Sequence, residues 1–451
     1  LDVKGKKILV VGAGKSGISV ARFLMQKEAI VTLTDNRDRD KFNGELDDLL
    51  ASGVRAELGS YPEVAPGVFD LVVVSPGVPP TVAPVVSARE RGVPVTGELE
   101  LAWRFARTPF IAITGTNGKT TTTALVGEIF RAAGYKALVG GNIGVPLVDV
   151  VEDYGPGDII VAEVSSFQLE TVEFFRPRVA LITNITPDHL DRHGTMEAYT
   201  AAKAKIFTRQ GDGDYTVLNY DDPKTRALAG ITPGKVIFFS RRHILEEGVF
   251  VHKGNMLLRL GGSATEIMPI KDIAIPGGHN LENALAAAAA AAVLGVSPAL
   301  LEQTLRTFPG VAHRLETVAE INGVKYVNDS KGTNPEASIK ALEAFDRPIV
   351  LLAGGRNKGS DFTEFARLAR QKTRVMVILG ECAAEIEQAA RQAGVTNILK
   401  AASFNEAVLM AHGAAKSGDV VLLSPACASW DMFKNYEERG ELFRQIVYDL
   451  K

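Results

Sequence analysis

Ile113-Thr114-Gly115-Thr116-Asn117-Gly118-Lys119-Thr120-Thr121 is the stretch on which the reading of this chain turns. The apolar run 110–113 before it reads as a short buried strand, and 122–133 after it as a helix. A strand, a glycine-rich turn and a helix start together make an anion site. The first backbone N–H groups of a helix lack partners, and its dipole is positive at that end. In such a loop Lys119 reaches the β- and γ-phosphates of a nucleoside triphosphate, and the Thr120 hydroxyl sits on Mg²⁺. Ile113 stands where the ordinary P-loop pattern has its first glycine, so that match is incomplete. A chance Gly-Lys-Thr in a turn is the competing reading.

The 451 residues around this loop make room for about three domains of ordinary size. A hydrophobic content of 46% fits a soluble globular protein with ample core. Fifty Lys and Arg against 53 Asp and Glu leave a net charge of −3, which argues against a nucleic-acid partner or a polybasic membrane surface. The only two cysteines, Cys382 and Cys427, are expected in different structural units, a usage that fits a reducing compartment. The sequence runs into a strand at 7–11 with no signal-peptide pattern. Its longest apolar stretch, 284–296, is mostly alanine and too short to span a bilayer. The expected location is the cytoplasm, with no membrane insertion.

Three units follow one another. In the first (1–97) a strand at 7–11 leads into Gly12-Ala13-Gly14-Lys15-Ser16-Gly17, a helix is expected at 18–27, and a second strand, 30–34, ends at Asp35. A further strand, 69–75, ends in Ser75-Pro76-Gly77-Val78-Pro79. This is a βαβ dinucleotide-type pattern. It suits NAD with Asp35 on the ribose, and equally any nucleotide diphosphate carrying a sugar. The second unit (98–310) holds the phosphate loop, strands at 158–164, 179–184 and 215–219, and an alanine-rich helix at 281–294 that reads as packed closely against its neighbours. The third (311–451) alternates strands at 325–328, 349–353, 375–379, 397–399 and 420–423 with helices, the pattern of a parallel α/β sheet. Its polar clusters follow strand ends, where open α/β sheets bind ligands.

Downstream of the loop, Glu163 closes a strand, and His189 lies in Asn184-Ile185-Thr186-Pro187-Asp188-His189 after another. A carboxylate at a strand end beside a nucleotide loop is where Mg²⁺ is expected. A hydrogen-bonded loop histidine is the alternative for His189. Lys203, in Ala201-Ala202-Lys203-Ala204-Lys205, reads by itself as part of a basic helix face, and Cys427 as a small packed thiol.

In order along the chain, Thr114 to Thr121, Gly141-Asn142-Ile143-Gly144, Glu163 to Gln168, Asp188 to Arg192, Ala202-Lys203, Gly278-His279-Asn280 with Asn283, His313-Arg314 and Asn328-Asp329-Ser330-Lys331 resemble the successive motifs of the Mur ligase family. These ATP-dependent amino-acid ligases build the peptide of bacterial cell-wall precursors. Their loop has the form T-G-T-N-G-K-[ST], which accounts for the missing first glycine. Gly12 to Gly17, Ser75-Pro76-Gly77, Gly354-Gly355, Lys358-Gly359, Asp361-Phe362 and Ser424 to Ser429 resemble the D-glutamate-adding branch. No Asp-Asn-Pro-Arg stretch of the lysine- or diaminopimelate-adding branches is present. Trp430 and Tyr436 depart from the Leu and Phe expected at their positions.

The resemblance implies three α/β domains: an N-terminal Rossmann-like UDP-binding domain, a central P-loop-type ATPase sheet and a C-terminal Rossmann-like parallel sheet. It implies UDP-N-acetylmuramoyl-L-alanine and D-glutamate as substrates of a monomeric enzyme that forms an acyl phosphate. Gly115, Thr116, Asn117, Gly118, Lys119, Thr120, Thr121, Asn283, Arg314, Asp329 and Lys331 would bind ATP. Gly14, Lys15, Ser16, Asp35, Asn36, Arg37, Gly77, Asn142 and Gln168 would bind the UDP substrate. Thr333, Lys358, Ser429, Trp430 and Tyr436 would meet D-glutamate. Two Mg²⁺ ions, with Mn²⁺ as a substitute, would sit on Thr120, Glu163, His189 and Lys203, the last as a CO₂-derived carbamate. Lys119, Glu163, His189 and Lys203 would carry the catalysis. Three rivals remain: a folylpolyglutamate synthetase-like ligase, which should lack the first unit; a dehydrogenase, which leaves Lys119, Glu163 and Lys203 unexplained; and an ATP-driven switch that needs no acceptor amine.

Overall fold

A computed structural model describes residues 1–450 apart from Asn43, Glu45 and Lys358, and shows three α/β sheets. By compactness the chain forms two units, residues 1–272 with 282–306, and residues 273–281 with 307–451. The first sheet holds β1 (Lys7–Val11), β2 (Ile30–Asp35), β3 (Arg55–Leu58), β4 (Leu71–Val74) and β5 (Val95–Gly97). Its order is β3-β2-β1-β4-β5, parallel throughout, so the topological switch lies between β1 and β4. Ligands of open α/β sheets settle at that point, beyond the strand carboxyl ends.

The second sheet, in the same unit, contains β6 (Phe110–Thr114), β7 (Ala137–Gly141), β8 (Ile159–Glu163), β9 (Val179–Ile182), β10 (Tyr215–Asn219), β11 (Lys235–Ser240), β12 (Gly248–His252), β13 (Asn255–Arg259) and β14 (Thr265–Pro269). Every residue of β6 and β8 is buried, as expected of central parallel strands with both faces covered. The order β14-β13-β12-β11-β10-β9-β6-β8-β7 puts the phosphate-loop strand β6 between β8 and β9. β13 and β14 extend one edge antiparallel. Residues 284–291 of the helix Gly278–Ala292, all alanine except Leu285, are wholly buried, and their small side chains let neighbouring elements pack close to the helix backbone.

The third sheet holds β15 (Glu316–Ile321), β16 (Val324–Asn328), β17 (Ile349–Gly354), β18 (Thr373–Leu379), β19 (Ile398–Lys400) and β20 (Val420–Leu423), in the order β15-β16-β20-β17-β18-β19. It is not wholly parallel, because β15 turns back on β16 as an antiparallel edge. The cysteine expectation is also corrected. Cys382 follows β18 and Cys427 follows β20, the two neighbours of β17, so both lie in one unit with their sulfurs 2.9 Å apart. Among the described residues no helix is long and apolar enough to cross a membrane.

Carboxylates that serve as backbone acceptors pin the first two sheets to each other. Glu98 accepts from Val148 N at 3.0 Å, and burial pushes its carboxyl up to about 7 against that bond and one from Leu147. Glu100 is fully buried, accepts from the N–H groups of Glu173, Phe174 and Phe175 at 3.0 to 3.2 Å, and pairs with Arg104 at 2.7 Å. Glu100→Ala strands three donors and a cation together. It is expected to cost about 3–5 kcal/mol in denaturant unfolding, the range for breaking a buried ion pair from one side.

Candidate active site

The phosphate loop takes its shape from two glycines in left-handed geometry. Gly115 has φ +147° and Gly118 has φ +83°. A Cβ on Gly118 would stand 2.2 Å from Asn283 Oδ1, and one on Gly115 would stand 1.9 Å from Thr183 Oγ1. Gly118 also caps the helix Lys119–Ala132, which therefore starts three residues earlier than the sequence suggested. With no side chain on the cap, the first-turn N–H groups face the loop. Gly118→Ala is expected to lower kcat/KM for ATP by roughly tenfold to a hundredfold and to lower the melting temperature as well, because a side chain at this φ is strained. Steady-state kinetics with ATP varied would read this, and an unchanged ratio would remove the steric argument.

The loop is held from below by the end of β9. Thr116 N donates to Asn184 O at 2.9 Å, Asn117 N to Asn184 Oδ1 at 2.9 Å, and Thr183 Oγ1 to Asn117 O at 2.6 Å. Lys119 Nζ turns back onto Gly115 O at 2.9 Å and Thr116 O at 2.8 Å. Thr120 and Thr121, in the first turn, are buried. Thr122 Oγ1 bonds Asn283 Oδ1 at 3.3 Å, which brings Asn283 to the loop's helix.

Lys203 also reaches the loop. It is 2% exposed, and its Nζ donates to the same Gly115 oxygen that receives Lys119, at 2.9 Å. Burial, then the Lys119 charge, push its amine down to about 7, with Asp188 opposing. The basic helix face suggested by its surroundings is not what the fold makes of it.

Glu163 ends β8 in register with Ile113 of β6. Its Oε1 accepts from Asn142 Nδ2 at 2.8 Å, while the buried Oε2 finds no hydrogen-bond donor among the described residues. A buried carboxylate oxygen left over in this way fits a hard cation. No group of three or more His, Cys, Asp or Glu side chains able to hold a metal ion occurs among the described residues, so a cation here would take further ligands from hydroxyls, phosphates and water. His189 sits on the rim in left-handed geometry (φ +52°), its side chain 47% exposed and its Nε2 3.4 Å from Asp188.

Tyr199, which sequence reasoning passed over, ties this group together. Its hydroxyl meets Thr116 Oγ1 at 3.2 Å, its ring lies 4.6 Å from Lys203 Nζ, and the His189 ring centre is 6.5 Å away. Tyr199 and Lys203 are four residues apart in the helix Met196–Ala204, a spacing that puts both on one face and was readable beforehand.

A cavity of about 720 Å³ opens at the β1/β4 switch. Gly14, Lys15, Ser16, Asp35, Asn36, Arg37, Gly77, Asn142 and Gln168 all line it, together with Tyr61, for which the sequence offered no signal. Gly17 lets the helix Lys15–Gln26 approach β1, since a Cβ there would stand 1.8 Å from Gly12 O. Asp35 accepts from Ala13 N at 2.8 Å and from Arg37 through both oxygens. Burial works to raise its pKa, but Arg37 and the backbone donors hold it below the ordinary value. Lys15 Nζ reaches Gly144 O at 2.7 Å, closing the cavity between the two sheets. Gln168 folds into a capping box with Ser165.

In the other unit, the β16 end brings Asp329 and Lys331 together with Arg314 and Tyr436. Asp329 is buried and pushed up to about 7 by that burial, against a 2.7 Å bond from Ser424 Oγ and the attraction of Arg314. Lys331 Nζ lies 5.6 Å from the Tyr436 ring. Arg439, another residue the sequence reading missed, is 1% exposed and donates to Ser330 Oγ, Ser330 O and Cys427 O, joining the 328–331 and 424–429 loops. Thr333 N bonds Lys331 O at 2.9 Å. Ser429 Oγ is buried without a partner among the described residues, and Trp430 is 58% exposed. Lys358 lies outside the described residues.

Family models agree with this layout. The Mur ligase MurD-like N-terminal domain matches residues 6–97, the Mur ligase middle domain 113–291, and the Mur ligase glutamate ligase domain 313–427. A UDP-N-acetylmuramoylalanine--D-glutamate ligase of Pelotomaculum thermopropionicum is 59% identical over 450 residues, covering 100% of this chain and 99% of its own length. Its namesake in Thermoanaerobacter pseudethanolicus is 48% identical over 453 residues, covering 100% of both. Among solved structures, UDP-N-acetylmuramate-alanine ligase MurC of Thermotoga maritima shares the fold with a TM-score of 0.61 at 21% identity, over 99% of this chain and 100% of that one. A MurF ligase of the same organism, solved in complex with ADP, gives 0.59 at 18% identity, over 100% and 96%. On the three domain matches and these full-length relatives, the chain belongs to the Mur ligase family.

Proposed function

We propose that the chain is an ATP-dependent amide ligase that joins D-glutamate to UDP-N-acetylmuramoyl-L-alanine, in the cytoplasmic stage of peptidoglycan precursor synthesis. The observation that carries this reading is the end-to-end 59% identity to a relative of that name. Residues 1–97 would hold the UDP moiety in the β1/β4 cavity. Residues 98–310 would hold the ATP phosphates, and 311–451 the amino acid.

The alanine carboxylate is a poor electrophile. Transfer of the γ-phosphoryl group turns it into an acyl phosphate, which the amine of D-glutamate attacks with release of phosphate. Transfer between two anions depends on positioning and charge neutralisation more than on covalent chemistry. Lys119 would leave the Gly115 and Thr116 carbonyls to neutralise the β- and γ-phosphates, over a loop that Gly115 to Thr121 shape. Thr120 and the unpartnered Glu163 oxygen would hold one Mg²⁺, and His189 with a carbamylated Lys203 a second. Bound there, the ions supply positive charge to the phosphate oxygens. Burial favours the neutral amine of Lys203, the form that reacts with CO₂. Asn283, Arg314, Asp329 and Lys331 would bind the rest of ATP. Thr333, Lys358, Ser429, Trp430 and Tyr436 would receive D-glutamate.

Phosphate release from ATP with UDP-N-acetylmuramoyl-L-alanine tests the reading, with D-glutamate, L-glutamate, L-lysine or diaminopimelate supplied in turn. Release that requires both the nucleotide sugar and D-glutamate is expected. Release indifferent to the amino acid would sink the assignment in favour of an ATP-driven switch.

A further inference from the structure

We propose that Cys382 and Cys427 form a reversible intrachain disulfide, an oxidative modification site that ties the 424–429 loop to the start of the helix Ala383–Gln392. They are the chain's only cysteines, both are buried, and their sulfurs stand 2.9 Å apart although 45 residues separate them. Bonding therefore needs a small approach of two side chains and no rearrangement of the sheet. The backbone already gathers at this point. Cys382 N donates to Gly355 O at 2.9 Å, Gly354 N donates to Pro425 O at 2.9 Å, and Arg356 pairs with Ala428. The ends of β17, β18 and β20 thus meet around the two sulfurs.

The thiols are not equivalent. Cys382 is the N-cap of its helix, where the positive end of the helix dipole favours a thiolate. The hydrogen bond from Cys427 lowers its pKa further, whereas that same bond and then burial raise the pKa of Cys427. Cys382 is therefore the attacking group and Cys427 the resolving one. The oxidant is a small hydroperoxide, since burial excludes bulky disulfides. The Cys382 thiolate attacks the terminal peroxide oxygen. The O–O bond breaks, the other oxygen leaves as an alcohol or water, and Cys382 becomes a sulfenic acid. The Cys427 sulfur then attacks the Cys382 sulfur. The S–S bond forms, the S–O bond breaks, and hydroxide leaves with the Cys427 proton as water. Two thiols lose two electrons in all, one peroxide gains them, and a dithiol reverses the change by exchange.

What the bond would restrain is the loop that ends at Ser429. Ala426 holds it in left-handed geometry at φ +59°, and Arg439 fastens it through Cys427 O. The restraint is a property of the folded chain and is read without substrate. The reduced full-length protein would be treated with hydrogen peroxide, alkylated, unfolded and titrated for thiols. Two thiols are expected to fall to none, with an intact-mass loss of about 2 Da, no dimer, a 382–427 link in the peptide map, and recovery of both thiols with dithiothreitol. Amide hydrogen exchange across 424–429 is expected to slow at least threefold in the oxidised protein, and not in Cys382→Ser treated alike. Persistence of both thiols at peroxide levels that oxidise free cysteine would overturn the proposal. So would a mass gain from sulfinic acid without the link, or a link that leaves exchange unchanged. If Cys382→Ser does not fold, the wild-type mass, map and exchange decide alone.

Discussion

Lys203→Arg is expected to lower kcat by roughly a thousandfold while leaving the fold intact, in the range found when a group that stabilises transition-state charge is lost. Lys203 and Lys119 both donate to one carbonyl oxygen, Gly115 O, inside a nearly closed site. Two ammonium groups in that position repel one another, and the deeper one gives up its proton more readily. A neutral amine there would take up CO₂ and become an anion, which would turn repulsion by Lys119 into attraction and supply oxygen for a cation. Arginine keeps its charge at every accessible pH and forms no stable carbamate, so it restores the repulsion and removes the oxygen. The chemical check is independent of rate. Wild-type protein in ¹³C-bicarbonate should show a carbamate carbon resonance that Lys203→Arg lacks. Wild-type turnover in Lys203→Arg would mean that the amine is a structural donor to Gly115 and nothing more.

Lys119→Met should cost a similar factor, with a different signature. Methionine matches the length of the lysine stem and keeps its packing but carries no charge. The loop's backbone cradle remains, so the KM for ATP should rise only a few fold. The fall should appear in kcat, because the charge that Lys119 would meet grows as the γ-phosphoryl group moves. Loss of the Lys119 cation also removes the second cause of the depressed Lys203 amine, so carbamate occupancy at a fixed pH should fall. Stopped-time phosphate assays at saturating ATP, with the ¹³C signal recorded alongside, separate these effects. A change confined to KM would place Lys119 in ground-state binding only.

The phosphate loop was legible because glycine at positive φ and a lysine at a helix start leave a local trace. The buried strands β6 and β8 were legible because central parallel strands read as unbroken apolar runs. Helix starts were read three residues late at Lys15, Lys119 and Gly278, where glycine and polar residues open the helix and mask the apolar period. The antiparallel strands β13, β14 and β15 escaped notice since half-exposed strands carry mixed patterns without an unbroken apolar run. Tyr199 was within reach through its four-residue spacing from Lys203. The meeting of Cys382 with Cys427, and of Arg439 with Ser330, was not. Both depend on β20 lying between β16 and β17, a sheet order that no local pattern encodes.

Central to the account is a carboxylate activated by phosphoryl transfer before the amine attacks. The direct measurement uses UDP-N-acetylmuramoyl-L-alanine carrying ¹⁸O in the alanine carboxylate, incubated with ATP, Mg²⁺ and D-glutamate. One labelled oxygen in the released phosphate for each amide formed is the predicted result, because the acyl phosphate hands its bridging oxygen to phosphate when the amine displaces it. Amide product accompanied by unlabelled phosphate would contradict the account.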